Sequence, residues 1–483
     1  MNNKPYIDTI NCVGCSVCIE SCPTNCLELS KPKYHSDINT YAYLKDKEKC
    51  KGCGICAKNC PTKIITICKE NTIPEHLTKG ETKTMWKVYC RVFQAVMKIG
   101  NYFMGYRTPK YIEGAGCIKD LPAQVKSKGV KKVLLVTDNG LMKLGLPNSL
   151  IEAMNIENLP YEIFSDIMPN PTDENVEAGY KVFKEKGCDG IIAFGGGSPM
   201  DCAKGIAAKN AHPDKPVSKL QGLLKVHKKI CPFWAVPTTS GTGSETTVAA
   251  VITEAKTHHK ASINDPSILP KYAVLDPELT KGLPPFITAT TGLDALCHAV
   301  EAYTNHTYNT KEEDRRAKEA VKLIYDYLYK AYIDGSDMEA RQKMQLAAFD
   351  AGRAFTRGCV GYVHAVGHTL GGLYGVAHGL AMSVILPHVM RQFGPAVYDK
   401  LADLADVCGI EGVDNKEKAE NFISWIEEMK EKMNIQKGFD CIKDEDIPQI
   451  IKWASKEANP LYPVPVIWGD EDFKRLIQTL RTC

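Results

Sequence analysis

Cysteine spacing is the first feature of this sequence that indicates chemistry. Two runs, CVGCSVCIESCP at residues 12–23 and CKGCGICAKNCP at residues 50–61, share the pattern CxxCxxCxxxCP. The two-residue gaps allow three thiolates of a run to bind one iron–sulfur cube, while the fourth cysteine binds the other cube. The runs therefore predict two 4Fe-4S clusters with crossed ligation, one held by Cys12, Cys15, Cys18 and Cys60 and the other by Cys50, Cys53, Cys56 and Cys22.

A structural zinc site is the alternative for these cysteines, but it needs only two CxxC pairs per metal and leaves the CP ends unexplained. Cys26 and Cys68 lie outside the repeated pattern and are expected to be packed thiols. The octet of cysteines resembles that of bacterial two-cluster ferredoxins over about residues 5–68. This resemblance implies a small ferredoxin-like α+β module, which we place at residues 1–70.

Metal-binding side chains of a second kind lie in the C-terminal half. The segment GLDALCHAVEAY places Asp294 and His298 four residues apart, and GYVHAVGHTLGGLYGVAHG places His364 and His368 four apart, with His378 ten residues later. Residues at i and i+4 share one face of a helix. Any one of these histidines could be a core residue, but together they predict a mixed carboxylate and imidazole site for a divalent transition metal. These ligand types do not select iron over zinc, and intrinsic affinity favours zinc.

Glycine-rich and hydroxyl-rich segments predict a nucleotide site. GIIAFGGGSPMDCAKGIA, from residue 190, reads as a buried strand that passes through glycines into a helix, whose N-terminal amides attract phosphate. PTTSGTGSE, at residues 237–245, follows another apolar strand. Open α/β sheets bind ligands at such carboxyl ends of strands. A third strand, KVLLVTD, ends at Asp138, an acid placed to bind a ribose and repel a 2′-phosphate, so NAD is predicted over NADP.

The elements that position these residues divide the chain. Strands alternate with helices up to residue 284, and the pattern is helical afterwards. We therefore predict a multidomain α/β protein, with an α/β dinucleotide-binding domain at 105–284 and an all-helical metal-binding domain at 285–483. Residues 71–104 are expected to form a linker, within the polar stretch 69–84, and one amphipathic helix that packs on the protein body.

Three charges within that helix, Lys87, Arg91 and Lys98, argue against a membrane span, although a membrane-surface helix with a basic face stays open. The 60 basic and 57 acidic residues give a formal net charge of +3, so no global field attracts nucleic acid. The N-terminus lacks the apolar core of a signal peptide, and closely spaced thiols indicate metal in a reducing compartment. A cytoplasmic protein of an anaerobic or low-oxygen organism is expected.

The motifs GGGSPMDCAK, PTTSGTGSE, GLDALCHAVEAY and HAVGH with the later His378 resemble the iron-containing, or group III, alcohol dehydrogenases. The resemblance covers residues 105–483 and implies an active site between a dinucleotide-binding domain and a helical domain. It implies that iron is bound by Asp294, His298, His364 and His378, with His368 beside them. It also places the following residues around NAD: Asp138, Asn170, Gly195, Gly196, Gly197, Ser198, Asp201, Thr238, Thr239, Ser240, Thr242, Thr247 and Lys260.

The expected reaction is hydride transfer between NAD(H) and a small alcohol or aldehyde, with His368 as a proton relay. Phe355, Arg357 and Tyr362, from AFTRGCVGY, are candidates for the substrate pocket. Arg357 would suit an anionic substrate group, or it pairs with an acid of the protein itself.

Three alternatives remain at this point. A glycerol-dehydrogenase-like polyol oxidoreductase would use fewer metal ligands. A ferredoxin-coupled enzyme would pass electrons between the clusters and the active site, although clusters move single electrons and no flavin-binding stretch is found to split a hydride. In the third, the front module docks the enzyme on a redox partner protein. A homo-oligomer is expected in each case.

Overall fold

The computed structural model describes residues 3–7, 12, 16–30, 41–61, 64–69, 81–255, 260–305 and 307–482. The chain forms two compact units. The first comprises residues 1–88 with 255–259, and the second comprises residues 89–254 with 260–483. The predicted linker lies largely outside the described residues.

The first unit is small and built around its cysteines. Strand Asn3–Ile7 pairs antiparallel with Ile65–Lys69, and Leu27–Leu29 pairs antiparallel with Ala42–Leu44. Two short helices, Val17–Glu20 and Ile55–Asn59, each carry a buried cysteine. Short strands and helices around a cysteine-lined core confirm the predicted ferredoxin-like α+β module.

A six-stranded parallel sheet forms the first part of the second unit. Three of its strands, Val133–Val136, Gly190–Gly195 and Phe233–Pro237, are buried at every residue, as expected for a parallel sheet covered on both faces. The order of the strands across the sheet is Lys110–Glu113, Tyr272–Leu275, Phe233–Pro237, Gly190–Gly195, Val133–Val136 and Tyr161–Phe164. The glycine-rich and hydroxyl-rich segments therefore leave neighbouring strands.

Helices connect these strands, and a small sheet completes this part. The helices are Leu121–Ser127, Asn139–Lys143, Asn148–Ile156, Asp173–Glu185 and Gly197–Ala211. The small sheet pairs Ala249–Thr253 antiparallel with Lys260–Asn264, which pairs parallel with Gly222–Leu223.

The rest of the second unit is helical and confirms the predicted fold class. Its central helix, Pro285–Thr304, is buried on nearly all sides, as a helix enclosed by others must be. Gly375, with φ of 69°, adopts the left-handed conformation that ends helix Tyr362–Tyr374, and the next helix begins at His378. The α-helices among the described residues of this part are Pro285–Thr304, Lys311–Ile333, Met338–Gly358, Tyr362–Tyr374, His378–Phe393, Tyr398–Cys408, Asn415–Lys432, Ile447–Ala458 and Asp470–Thr479.

The amphipathic segment forms one helix, Glu81–Phe103. Its side chains from Tyr89 onward belong to the second unit, where Cys90, Gln94 and Asn101 are buried. The side facing the protein is thus mainly polar, contrary to what an amphipathic pattern leads one to expect. Within the described part of the chain, no helix is long and apolar enough to span a bilayer.

Candidate active site

Four predicted ligands converge in the helical part. Asp294 and His298 lie one turn apart on the central helix, His364 lies on Tyr362–Tyr374, and His378 begins His378–Phe393. One ligand atom of each lies within 4.8 Å of those of the other three. Asp294 Oδ1 is 3.4 Å from His378 Nε2 and 4.0 Å from both His298 Nδ1 and His364 Nε2.

The donor set of this cluster fits a cation. Asp294 Oδ1, His298 Nδ1 and His364 Nε2 are buried and have no hydrogen-bond partner among the residues that the structure describes. Buried polar atoms without partners are costly, and three that face one point indicate a group that satisfies all of them. His378 is the most exposed member of the cluster, with 41% of its side chain accessible, so the cluster is open on that side.

The protonation of the cluster also suits a metal. Burial lowers the pKa of His298 to about 3 and lowers the pKa of His364 well below its ordinary value. Burial alone would raise the pKa of Asp294, but His298 and His378 outweigh it and hold this pKa well below the usual range. Neutral imidazoles and a carboxylate are the forms that bind divalent metals.

Glu301 supports this cluster and is not among the predicted site residues. Its carboxylate accepts a hydrogen bond from the Val363 amide at 2.8 Å and lies 2.5 Å from His364 Nδ1. The Nδ1–H of His364 therefore points at Glu301, and Nε2 is left to face the other ligands. Glu301 lies seven residues after Asp294 on the same helix face, so helical spacing alone could have identified it.

His368 lies beside the cluster in a hydrogen-bonded chain. Its ring stacks on that of His378, with centroids 5.2 Å apart. His368 Nδ1 is 2.7 Å from Glu457 Oε1, which also accepts a hydrogen bond from the Tyr462 hydroxyl at 3.1 Å. Neither Glu457 nor Tyr462 was predicted, because both follow His368 by about 90 residues without a motif.

The two nucleotide motifs meet at the carboxyl ends of their strands. The Thr238 amide donates to the Gly195 carbonyl at 3.2 Å. A Cβ on Gly196 would lie 3.5 Å from Thr239, and one on Gly197 would lie 3.3 Å from Thr242. Bare backbone and hydroxyl groups thus surround the N-terminus of Gly197–Ala211, which suits a phosphate.

Other predicted nucleotide residues lie around this helix. The Asn170 amide donates to the Ser198 hydroxyl at 3.3 Å. Asp138 follows the adjacent strand, and its Oδ1 accepts from the Leu141 amide at 2.9 Å, which caps helix Asn139–Lys143. Ser240 is buried. For Lys260 the structure describes only the backbone, in strand Lys260–Asn264.

Asp201 and Thr247 are hydrogen-bonded within the protein. Buried Lys204 donates to the Thr247 hydroxyl at 2.8 Å and to the Ser244 hydroxyl at 3.0 Å. Asp201 accepts from that Ser244 hydroxyl at 3.2 Å and from the Val251 amide at 3.1 Å. Burial lowers the pKa of Lys204 to about 8 and raises that of Asp201 to about 6. These groups fix the hydroxyl-rich loop, and the sequence did not single out Lys204.

The three substrate candidates have different surroundings. Phe355 stacks on the ring of His298, with centroids 4.1 Å apart. Arg357 Nε lies 3.6 Å from Glu313, and its guanidinium lies over the Tyr106 ring. Of the two roles considered for Arg357, binding an anionic substrate group or pairing with an acid of the protein, the structure shows the pair.

Tyr362 has a packing role, and its prediction as a pocket residue is not supported. Its side chain is fully buried, and its hydroxyl donates to Asn459 and accepts from the Trp468 amide. The ring stacks on that of Trp468. A helical residue two positions before His364 points away from the face that His364 occupies, which explains the difference.

Cysteines of both runs meet in the small unit. Cys22 from the first run and Cys50, Cys53 and Cys56 from the second line one cavity. Burial tends to raise the pKa of Cys22, but hydrogen bonds from the amides of Cys26 and Thr24 lower it to about 7, which favours the thiolate ligand. In the other set, Cys18 and Cys60 are buried and Cys12 is partly exposed, while Cys15 lies outside the described residues. Cys26 is buried beside Cys22, and Cys68 is partly exposed.

Comparison with protein families gives three matches. Residues 108–277 match the model for iron-containing alcohol dehydrogenase, and residues 288–479 match the C-terminal model of the Fe-containing alcohol dehydrogenase family. Residues 11–64 match the 4Fe-4S dicluster domain, which confirms the prediction of two clusters.

Individual proteins agree with these matches. The chain is 37% identical to Alcohol dehydrogenase 4 of Schizosaccharomyces pombe over 357 residues, 72% of this chain and 83% of that protein. It is 37% identical to the NAD-dependent methanol dehydrogenase of Bacillus methanolicus over 362 residues, 74% and 94% of the two chains.

Solved structures show the same relationship. The crystal structure of a 1,3-propanediol oxidoreductase matches with a TM-score of 0.75 and 35% identity, over 78% of this chain and all of that one. The sulfoacetaldehyde reductase of Bifidobacterium kashiwanohense, solved in complex with NAD+, matches with a TM-score of 0.70 and 29% identity, over 78% of this chain and 98% of that one.

Proposed function

Because the chain belongs to the iron-containing alcohol dehydrogenase family, we propose that Asp294, His298, His364 and His378 bind its catalytic metal. The activity predicted from the motifs is confirmed: the chain is an NAD-dependent alcohol dehydrogenase that carries a 4Fe-4S module. The observation that supports this ligand set is the convergence of three buried, unpartnered ligand atoms on one point. A fourth ligand argues against the glycerol-dehydrogenase-like alternative.

The residues of the site divide the work. When bound, the metal supplies a Lewis acid for a substrate oxygen, and NAD carries the hydride. Asp294 brings the negative charge that offsets the cation, while His298 and His364 offer neutral nitrogen donors. Glu301 fixes the ring of His364, and burial keeps water from the inner side of the cluster. Iron, the family's metal, is compatible with this set, as zinc is.

His368 is the residue that we assign to proton transfer. Glu457 accepts the Nδ1–H of His368, so the proton of the relay would be exchanged at Nε2. Tyr462 holds Glu457 from the other side. With 36% of its side chain accessible, His368 connects the metal site with solvent.

The nucleotide is proposed to bind along the carboxyl ends of the parallel strands. Its pyrophosphate would lie at Gly196, Gly197 and Ser198, where the helix begins. Thr239 offers a hydroxyl group beside Gly196, Thr242 lies beside Gly197, and the Thr238 amide is bonded to the Gly195 carbonyl. Asp138 lies at the end of the neighbouring strand, where a ribose would follow. Lys204 and Asp201 hold this loop in place from within the protein.

A small, uncharged alcohol or aldehyde is the proposed substrate. Phe355 presents an apolar ring beside the ligand His298. Arg357 is engaged by Glu313 and Tyr106, which removes the main reason to expect an anionic substrate. Relatives named for methanol and 1,3-propanediol act on molecules of this size.

The 4Fe-4S clusters are proposed to serve an external redox partner. Clusters exchange single electrons, whereas NADH delivers a hydride, and a flavin is the usual intermediary between them. Oxygen-sensitive clusters fit the reducing cytoplasm, which is the proposed compartment. A homo-oligomer is the proposed assembly.

Replacing Asp294 or His378 by alanine tests the metal assignment. Each change removes one ligand but leaves the nucleotide segment intact, so metal content and aldehyde reduction should fall below a hundredth of wild type, while NADH still binds. His388→Ala is the matched control, because His388 lies on the same helix as His378, ten residues further along. Metal content by mass spectrometry, NADH binding by fluorescence and turnover are the measurements.

The assignment is wrong if both variants retain metal and turnover. It is also wrong if His388→Ala loses as much metal as His378→Ala, since the loss would then report general damage to that helix.

A further inference from the structure

The helix Glu81–Phe103 is attached to the protein by its polar side. Arg91 donates hydrogen bonds to the carbonyl oxygens of Val464 at 2.8 Å and Pro465 at 2.7 Å. Gln94 donates to the carbonyl of Tyr462 at 2.8 Å. These bonds fix the rotation of the helix about its axis and therefore decide which face points outward.

The outward face is an apolar stripe. Tyr102 and Phe103 each keep 78% of their surface accessible, and Val92 keeps 57%. Monomeric proteins rarely expose so large an apolar patch, which usually marks an interface. We define the stripe by its nine exposed apolar residues: Met85, Trp86, Val88, Tyr89, Val92, Val96, Ile99, Tyr102 and Phe103.

The stripe is symmetric about Gln94. Counted outward from that position in both directions, apolar residues occur at the same distances: Val92 and Val96, Tyr89 and Ile99, Trp86 and Tyr102, and Met85 and Phe103. Val88 corresponds to Gly100, where a side chain would meet only open space. A two-fold interface requires this kind of self-complementarity, because residue i contacts residue j of the partner and j contacts i.

We infer that this stripe packs antiparallel against the same stripe of a second copy of the chain, on a two-fold axis passing near Gln94. In this arrangement eight of the nine stripe residues of one copy meet an apolar side chain of the other, and Val88 meets the open space at Gly100. The exposed Lys87 and Lys98 would lie opposite Asn101 and Cys90, so like charges do not meet. A parallel pair would place Lys87 against Lys87 instead.

The size of the stripe suits a stable interface. If each side chain offers on the order of 100 Å², the nine together offer roughly 900 Å² per copy, close to the ~800 Å² per partner of a specific complex. An anionic lipid surface is the other occupant that an apolar face beside lysines would fit. A lipid surface does not require the symmetric spacing, so the second copy is favoured. The inference concerns assembly and does not depend on the proposed reaction.

Charge substitution in the full-length chain tests this pairing and its register. Val92→Glu and Val96→Lys should each raise the dimer dissociation constant by about a hundredfold or more, because each buries unpaired charges in an apolar interface. When the two variants are mixed, position 92 of one meets position 96 of the other, and heterodimers should return. Sedimentation velocity and native mass spectrometry measure both effects. Lys98→Glu, on the same helix but outside the stripe, is the matched control and should stay dimeric, and all variants should retain NADH-dependent activity.

Four results would overturn the inference. Dimers that persist in both variants would place any oligomer contact elsewhere, and a mixture that stays monomeric would contradict the proposed register. Heterodimers formed by Val92→Glu with Val92→Lys would indicate parallel helices. A monomeric wild-type chain that binds phosphatidylserine vesicles through the stripe would identify a lipid surface as the occupant.

Discussion

At the scale of single residues, helical spacing and motifs indicate the four residues of the proposed metal site but not the residues around them. Asp294 and His298 at i and i+4 needed only the helix period, and His364 and His378 needed the motif around them. Glu301 follows from the same helical period, but it contacts His364 and is outside the proposed ligand set, so a search for ligands alone does not find it. Glu457 and Tyr462 reach His368 only through tertiary packing, which no local pattern records.

The proposed proton relay leads to a prediction for Glu457→Gln. An amide can neither fix the Nδ1–H of His368 as firmly nor stabilise its protonated ring, so kcat should fall about tenfold and the solvent isotope effect on kcat should rise. NADH affinity and metal content should stay at wild-type levels. Steady-state rates in light and heavy water measure the change.

Lys456→Gln provides the comparison, since Lys456 is the exposed neighbour on the same helix. The double variant of His368→Gln with Glu457→Gln should be no slower than His368→Gln alone, because the two residues act as one unit. Additive losses would show that Glu457 acts independently of His368.

At the scale of elements, the sequence indicated which segments form strands and helices but not how they face one another. Gly195–Gly197 and Thr238–Thr242 were each placed at a strand end, yet only the sheet order makes them neighbours. The helix Glu81–Phe103 was expected to pack on the protein, and it does so through Arg91 and Gln94. An amphipathic pattern shows that a helix has an apolar face and a polar face. It does not show which face packs on the protein when backbone carbonyl groups of the protein can accept hydrogen bonds from the polar face.

The position of Asp138, between a strand end and the start of a helix, leads to a prediction for the choice between NAD and NADP. Asp138→Asn keeps an N-cap for helix Asn139–Lys143 but removes the charge that would repel a 2′-phosphate. The ratio of kcat/KM with NADPH to that with NADH should therefore rise about tenfold, with little change in melting temperature. Initial rates with both cofactors measure the ratio.

Asp189→Asn is the control, because Asp189 precedes strand Gly190–Gly195 and binds the amides of Lys131 and Lys132 at the opposite end of the sheet. An unchanged ratio in Asp138→Asn, or an equal change in Asp189→Asn, would show that Asp138 does not discriminate between the cofactors.

At the scale of the whole molecule, two kinds of redox chemistry share one chain. The cysteine runs belong to a unit built from residues 1–88 with 255–259, whereas the proposed metal ligands and nucleotide segments all belong to the other unit. Both halves could be predicted because their ligand spacings are local. The role of the clusters could not be predicted in the same way, because neither ligand spacing encodes the partner with which the clusters exchange electrons.

The central claim is that hydride transfer between NADH and an aldehyde bypasses the clusters. Its most direct test is anaerobic stopped-flow absorbance of the full chain, with metal and clusters in place, after mixing with NADH and propionaldehyde. The nicotinamide absorbance should decay through repeated turnovers while the visible absorbance of the clusters stays constant. Bleaching and recovery of the clusters at the rate of NADH oxidation would contradict the claim and place them on the catalytic path.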